Sequence, residues 1–210
     1  MNSKQKLVLC LLAMAETIEV NKQYLTELDS PIGDADHGFN MTKGFKAVRD
    51  KVPGVQESDC GTILKTVAMT LISTVGGASG PLYGTAFLKA AAVVQGKDEV
   101  TREDLSAMFD VAIAGIIMRG KAKQGDKTML DALLPAAAAL KEALEAGEAV
   151  SEAFARAQQE ARKGAEYTKS IAATKGRASY LGERSIGHQD PGATSSYLLL
   201  EAITKTLKED

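Results

Sequence analysis

The sequence predicts an all-α fold of eight helices, and three observations carry that reading. Apolar residues recur at the 3.6-residue spacing of an amphipathic helix in one segment after another. Alternating runs of β-branched residues bounded by turns, which strands would need, are missing throughout. Two segment starts pair a hydroxyl residue with an acid three positions on, Thr101 with Asp104 and Thr128 with Asp131. That pairing satisfies exposed amides at a helix N-terminus.

In the first segment Leu7, Cys10, Leu11, Met14, Ile18 and Leu25 fall on one stripe while Gln5, Glu16, Gln23 and Glu27 face away, which predicts one helix ending near Leu28. Further helical patterns follow at about 39–50, 59–75, 80–95, 102–119, 129–146, 148–172 and 191–208. Pro135 lies inside the sixth pattern, where it removes a backbone donor and crowds the preceding turn, so a kink or a later helix start is expected there. The alanine-rich 136–161 region keeps Leu140, Leu144, Val150, Phe154 and Ala157 at helical intervals and reads as close helix packing through small side chains. Asp190 followed by Pro191 is a helix start, with the acid at the N-cap and proline at the first helical position. No internal repeat and no linker interrupts the chain, so residues 1–210 are expected to form a single domain.

Composition narrows the function. At 210 residues, 45% hydrophobic and 25% charged, the chain can bury a core without disulfides or metal staples, which rules out disorder as its main state. No run approaches the roughly 20 apolar residues of a membrane span. The N-terminus lacks a signal peptide's zones, so a cytoplasmic location is expected. Cys10 and Cys60 sit inside apolar patterns with no metal-like spacing and read as small buried hydrophobes. With Lys+Arg 25 against Asp+Glu 27 there is no basic excess to neutralise a nucleic-acid backbone.

Glycine, histidine and aspartate concentrate in three segments between helices, where function is expected. The first runs from Asp29 through Asp34, Ala35, Asp36, His37 and Gly38 to Asn40. Its three carboxylates repel one another unless a cation sits among them, and hard oxygen ligands select Mg²⁺ or Ca²⁺. No glutamate stands where an EF-hand would need it. The competing reading is that Asp29 and Asp34 merely end one helix and cap the next.

The second segment, Val75 to Leu82, is a Gly-rich turn opening the fourth helix, with Ser79 as N-cap and Pro81 in the first turn. Amides at such a terminus suit an anion, and the glycines let a phosphate approach. The alternative is a tight helix–helix turn. A near match to a phosphate loop from Gly115 to Lys121 is discounted, because Ala122 stands where Ser or Thr is required and the segment is helical. The third segment, Thr174 to Gln189, is a loop without a helical stripe, expected to be a lid anchored by Tyr180, Leu181 and Ile186. For Asp190, pure capping and ligand contact both remain open. An acid cluster for Mg²⁺, an anion cradle and a cationic loop are the parts of a phosphoryl-transfer site, with a nucleotide as ligand.

Three motifs now stand in order: Gly33-Asp34-Ala35-Asp36-His37-Gly38, then Gly76-Gly77-Ala78-Ser79-Gly80-Pro81-Leu82, then the run from Lys175-Gly176-Arg177 to Gly187-His188-Gln189-Asp190-Pro191-Gly192. Together they resemble the nucleotide-binding L subunit of dihydroxyacetone kinase, over essentially the whole chain. The resemblance implies an eight-helix antiparallel barrel with the nucleotide and two Mg²⁺ ions at one end. It implies Asp29, Asp34 and Asp36 as metal ligands, and His37, Gly38, Phe39 and Asn40 lining the nucleotide, Phe39 through its backbone. Ala78 and Ser79 would meet the phosphates. Gly120, Met129 and Arg177 would add contacts, and Asp190, Pro191 and Gly192 would close the site. Arg177 is the residue expected to stabilise charge on the transferring group.

The same resemblance implies a relay. ADP stays bound and is phosphorylated in place by the phosphohistidine-carrying M subunit of the sugar phosphotransferase system, and the γ-phosphoryl group passes to dihydroxyacetone on a separate K subunit. The alternative is a subunit that exchanges free ATP and serves dihydroxyacetone or a related keto-sugar. A helical Mg²⁺-diphosphate enzyme of the prenyl synthase kind is disfavoured by the absence of DDxxD runs. A non-catalytic regulator that signals through nucleotide state is a third class; intact Asp29, Asp34 and Asp36 argue against a purely structural role without excluding a second, regulatory one.

Overall fold

Among the described residues, 1–208, the computed structural model contains nine α-helices, three 3-10 segments and no strand. The helices are α1 (Ser3–Val20), α2 (Lys22–Asp29), α3 (His37–Lys51), α4 (Cys60–Thr74), α5 (Ser79–Val93), α6 (Arg102–Gly120), α7 (Met129–Glu145), α8 (Val150–Tyr167) and α9 (Pro191–Lys208). The single first helix expected from periodicity is divided at Asn21, which is both the C-cap of α1 and the N-cap of α2. The apolar stripe crosses this break because α2 still buries Leu25 and Asp29.

Eight of these helices form a closed ring. Each packs on the next in the order α1, α3, α4, α5, α6, α7, α8, α9, and α9 returns to α1, while short α2 lies against α3 and α9. This is the helical barrel that the resemblance implied. The main core is built from Leu11, Ile18, Met41, Phe45, Ile63, Leu71 and Leu130 among others. An apolar cavity of about 550 Å³ opens away from the loops described below, past Val100, Val150 and Leu207.

The capping pairs are both formed, Thr101 with Asp104 and Thr128 with Asp131. Pro135 does not delay α7, which runs unbroken from Met129. Its missing N–H leaves the Asp131 carbonyl without its helical donor, and Gly164 of α8 lies against that oxygen, where a Cβ would collide with it. The alanines act as expected: Ala132, Ala136 and Ala143 meet Ala153, Ala157, Ala161 and Ala165 in a second core cluster with Leu140 and Phe154. Both cysteines are free and buried, and burial pushes the Cys10 thiol up to about 11. The phosphate-loop near match lies inside α6.

Alternation around the ring fixes where the loops fall. The connections before α3, α5, α7 and α9 all lie at one end, so the N-termini of four helices converge there.

Candidate functional site

Asp29 closes α2 and is buried. Its Oδ2 accepts from the amides of Asp36 (2.9 Å) and His37 (3.2 Å), so the carboxylate is locked by backbone dipoles. Gly33 is required at this turn because a Cβ there would collide with the Asp29 carboxylate. The turn brings oxygens of Asp29, Asp34 and Asp36 within 4.8 Å of one another. Burial raises the pKa of Asp36, Asn40 opposes this by hydrogen bonding, and the charges of Asp34 and Asp29 add to the rise. The capping reading of these acids holds only for Asp29. Asp36, not Asp34, stands at the N-cap of α3, and its side chain makes no capping bond. Three convergent carboxylates, one of them held rigid, form a hard donor set that fits a Mg²⁺-sized cation.

Facing this cluster, α5 starts without a side-chain cap. Ser79 is not the N-cap expected from the sequence: Ala78 takes that position, and Ser79 is the first helical residue. Its hydroxyl lies 3.2 Å from His37 Nδ1 instead, which leaves first-turn amides of α5 open to an anion. His37 Nε2 lies 2.9 Å from Ser195 Oγ, and Tyr83 OH lies 2.8 Å from both Ser195 Oγ and Ser196 Oγ. Burial holds the His37 pKa down at about 4, so its ring is neutral, and burial pushes Tyr83 up to about 12. This chain ties α3, α5 and α9 together behind Ser79. Tyr83, Ser195 and Ser196 were missed by sequence reasoning. The available signal was two serines on the buried face of α9.

The remaining residues reach the same end by different elements. Gly38, Phe39 and Asn40 lie in the first turn of α3; Asn40 faces Gly76, and half-exposed Phe39 carries Lys22 Nζ 3.9 Å from its ring centroid. Gly120 ends α6 and Met129 begins α7. A Cβ on Gly192 would lie 3.1 Å from Asp190 Oδ2 and 3.7 Å from Met129 N, so Met129, Asp190 and Gly192 are neighbours. Asp190 does cap α9, accepting from Ala193 N at 2.6 Å, and burial raises its pKa to about 7. Pro191 is the first residue of that helix.

The segment expected to be an irregular lid contains 3-10 turns over Arg177–Ser185, broken at Gly182 (φ 55°, ψ −128°). Two of its expected anchors are corrected: Tyr180 is 88% exposed and Ile186 45% exposed. Leu181 packs as expected, against a small cluster of Ile32, Ala173 and Ala178. Buried Ser185 replaces the others, accepting from Ala173 N and donating to Gly182 O. From this segment Arg177 Nη2 reaches Asp34 Oδ2 at 2.9 Å, which joins the third motif to the first. His188 is exposed, in contrast to His37.

A DAK2 domain model matches residues 31–205. The ADP-binding subunit DhaL of the PEP-dependent dihydroxyacetone kinase of Escherichia coli K12 is 46% identical, over 99% of both chains. The corresponding subunit of kinase 1 of Listeria innocua is 43% identical, over 91% of this chain and 90% of that one. An L-erythrulose kinase of Pectobacterium atrosepticum is 35% identical over 94% of this chain but only 34% of its own length. Among solved structures, the dihydroxyacetone kinase of C. freundii in its native form superimposes with a TM-score of 0.73 at 23% identity, over 95% of this chain and 34% of that one. Its complex with AMP-PNP and Mg²⁺ gives 0.71 at the same identity. At that identity the likeness carries the fold.

Proposed function

The chain belongs to the DAK2 family, among the L-type subunits of dihydroxyacetone kinase, and from that membership we propose that it is the nucleotide-carrying subunit of such a kinase. It holds ADP with two Mg²⁺ ions, receives a phosphoryl group from the phosphohistidine of an M subunit, and gives dihydroxyacetone phosphate on a separate K subunit. The observation that carries this reading is the meeting, at one end of the barrel, of the Asp29, Asp34 and Asp36 cluster, the open N-terminus of α5 and Arg177.

In this reading Asp29, Asp34 and Asp36 hold the cations, which when bound neutralise phosphate charge. The amides of Ala78 and Ser79 donate to phosphate oxygens, and neutral His37 orients the Ser79 hydroxyl. His37, Gly38, Phe39, Asn40, Gly120 and Met129 line the nucleotide, and Asp190, Pro191 and Gly192 close the adenosine side. Arg177 stabilises the transferring group with its guanidinium. In this reading the described residues 1–208 serve as one domain devoted to this site, and no sugar pocket is assigned to it.

The similarity to a PEP-dependent subunit over 99% of both chains favours relay over exchange of free ATP. The test mixes purified chain carrying ADP with a phosphohistidine donor and a dihydroxyacetone-loaded K subunit, and follows dihydroxyacetone phosphate with each component omitted. Product must require all three. Product from this chain with free ATP and the K subunit, without the phosphohistidine donor, would establish the exchanging alternative, and product from this chain, free ATP and dihydroxyacetone without partners would overturn the relay.

A further inference from the structure

Lys127 is the largest charged side chain in the interior, 1% exposed, in the α6–α7 connection at a left-handed φ of 61°. Its Nζ donates to three backbone carbonyls: Thr168 O at 2.5 Å, Ile171 O at 3.3 Å, and His188 O. An ammonium has three protons, so its donor capacity is used in full. No carboxylate lies within ion-pair distance of it among the described residues. Burying a charge is costly without close partners, and here the close partners are carbonyl dipoles, with the charges of Asp190 and Asp131 farther off.

The position of those carbonyls gives the arrangement its meaning. Thr168 and Ile171 lie where the chain leaves α8, and His188 lies just before it enters α9. One ammonium therefore joins the two ends of the excursion that carries Arg177. Gly187 N donates to Lys169 O at 2.7 Å beside it. The preceding residue adds a second clamp: Asp126 Oδ1 accepts from Thr174 Oγ1 at 2.5 Å, and Asp126 O accepts from Thr174 N at 3.2 Å. Arg177 follows three residues later, and its own side chain is 66% exposed, so little packing around the guanidinium fixes it. Its placement 2.9 Å from Asp34 depends on how the base of the segment is held.

We propose that Lys127 is a positioning residue: it pins both ends of the 168–190 segment so that Arg177 is delivered to the acid cluster. The proposal rests on the role given to Arg177 above. Lys127 touches no reacting group; it acts through backbone geometry, with Asp126 and Thr174 as its auxiliary clamp. A displacement of about 1 Å in a positioned group is enough to cost on the order of a hundredfold in rate.

The experiment uses the full chain with its K subunit and phosphohistidine donor. Lys127→Met and Thr174→Val are each made alone and combined with Arg177→Ala, and turnover is measured beside backbone amide exchange. Lys127→Met is expected to lower turnover about tenfold to a hundredfold, to raise exchange across 171–187 while the barrel helices keep their protection, and to add little to the loss already caused by Arg177→Ala. Thr174→Val, at an exposed position, is expected to act in the same way more weakly, and it carries the test if Lys127→Met does not fold. Wild-type exchange across 171–187 in the folded variants overturns the proposal, as does a turnover loss that multiplies in full with that of Arg177→Ala. Should Arg177→Ala itself leave turnover unchanged, the role of the arginine fails separately, and the exchange result alone decides whether Lys127 pins the segment.

Discussion

Asp29 and Asp34 belong to one acid cluster but are held so differently that alanine at each should separate metal binding from folding. Asp29 is buried and accepts from two amides. Removing it leaves both donors without a partner, at about 1–3 kcal/mol each, so the variant should lose roughly 2–6 kcal/mol. For a chain of this size a kilocalorie corresponds to about 2–4 °C in Tm, which places the drop at roughly 4–24 °C. Asp34 has a side chain 33% exposed, and its ion-pair partner Arg177 is 66% exposed. Solvent screens such a pair to about 0–1 kcal/mol, and relief of repulsion from Asp29 and Asp36 offsets part of it, so Tm should move by less than about 3 °C. Thermal unfolding in chelator measures the first effect, and calorimetric titration with Mg²⁺ and ADP the second. Both variants should lose Mg²⁺-ADP binding and only Asp29→Ala should lose stability. Wild-type Mg²⁺-ADP affinity in Asp34→Ala would refute the metal assignment, and equal destabilisation by both substitutions would refute the account of how the cluster is held.

Arg177→Ala should lower turnover on the order of a hundredfold or more while Tm moves little, since the side chain is largely exposed; a reconstituted assay with unchanged turnover would assign the arginine to the surface. Gly33→Ala should weaken Mg²⁺-ADP binding, because the new Cβ displaces the Asp29 carboxylate, and calorimetric titration with unchanged affinity would contradict that geometry. Asp190 has its carboxyl raised from 3.8 to about 7 in the fold. Its contribution to stability is therefore fully present below about pH 4 and is lost as pH rises to about 7. Asp190→Asn keeps a capping oxygen but no titration, so stability of the native chain relative to this variant should fall across that window and level off above it. Parallel denaturant-unfolding curves from pH 4 to 8 would count against the raised pKa.

Periodicity made the helices legible because each buries one stripe against the ring, and the stripe survives in the sequence as spacing. It did not reveal the break at Asn21, since the stripe resumes on α2 with Leu25 after a local change of direction that hydrophobicity does not register. Residue chemistry made the acid cluster legible: three aspartates around Gly33 crowd one turn, and the fold keeps them together. Residues whose role depends on a distant partner were not legible. Ser79 reads locally as a cap, and only the approach of His37 from α3 shows why its hydroxyl turns elsewhere. Tyr180 and Ile186 read as anchors by composition, yet the segment turns them out and buries Ser185. Nothing in the local sequence singles out Lys127; its role emerges only when the carbonyls of Thr168, Ile171 and His188, which follow it by at least 41 residues, are brought around it.

The ring explains why three separate motifs can form one site. An even number of alternating helices closes with every second connection at the same end, so segments far apart in sequence meet without a long crossover. Capping residues divide between the two ends in a way that fits. At the far end Asp59 caps α4 and the Thr101 pair caps α6, and their amides are used internally. At the near end Thr128 and Asp190 cap α7 and α9, while α3 and α5 begin without a side-chain capping bond of their own. An uncapped start alone is no signal, because α8 also lacks one at the far end. What singles out α3 and α5 is that Asp29 takes the His37 amide at the first, while Ser79 at the second turns its hydroxyl to His37 instead of capping. One terminus is thereby committed to fixing carboxylates and the other left open for an anion, a division of labour suited to holding a cation and a phosphate side by side.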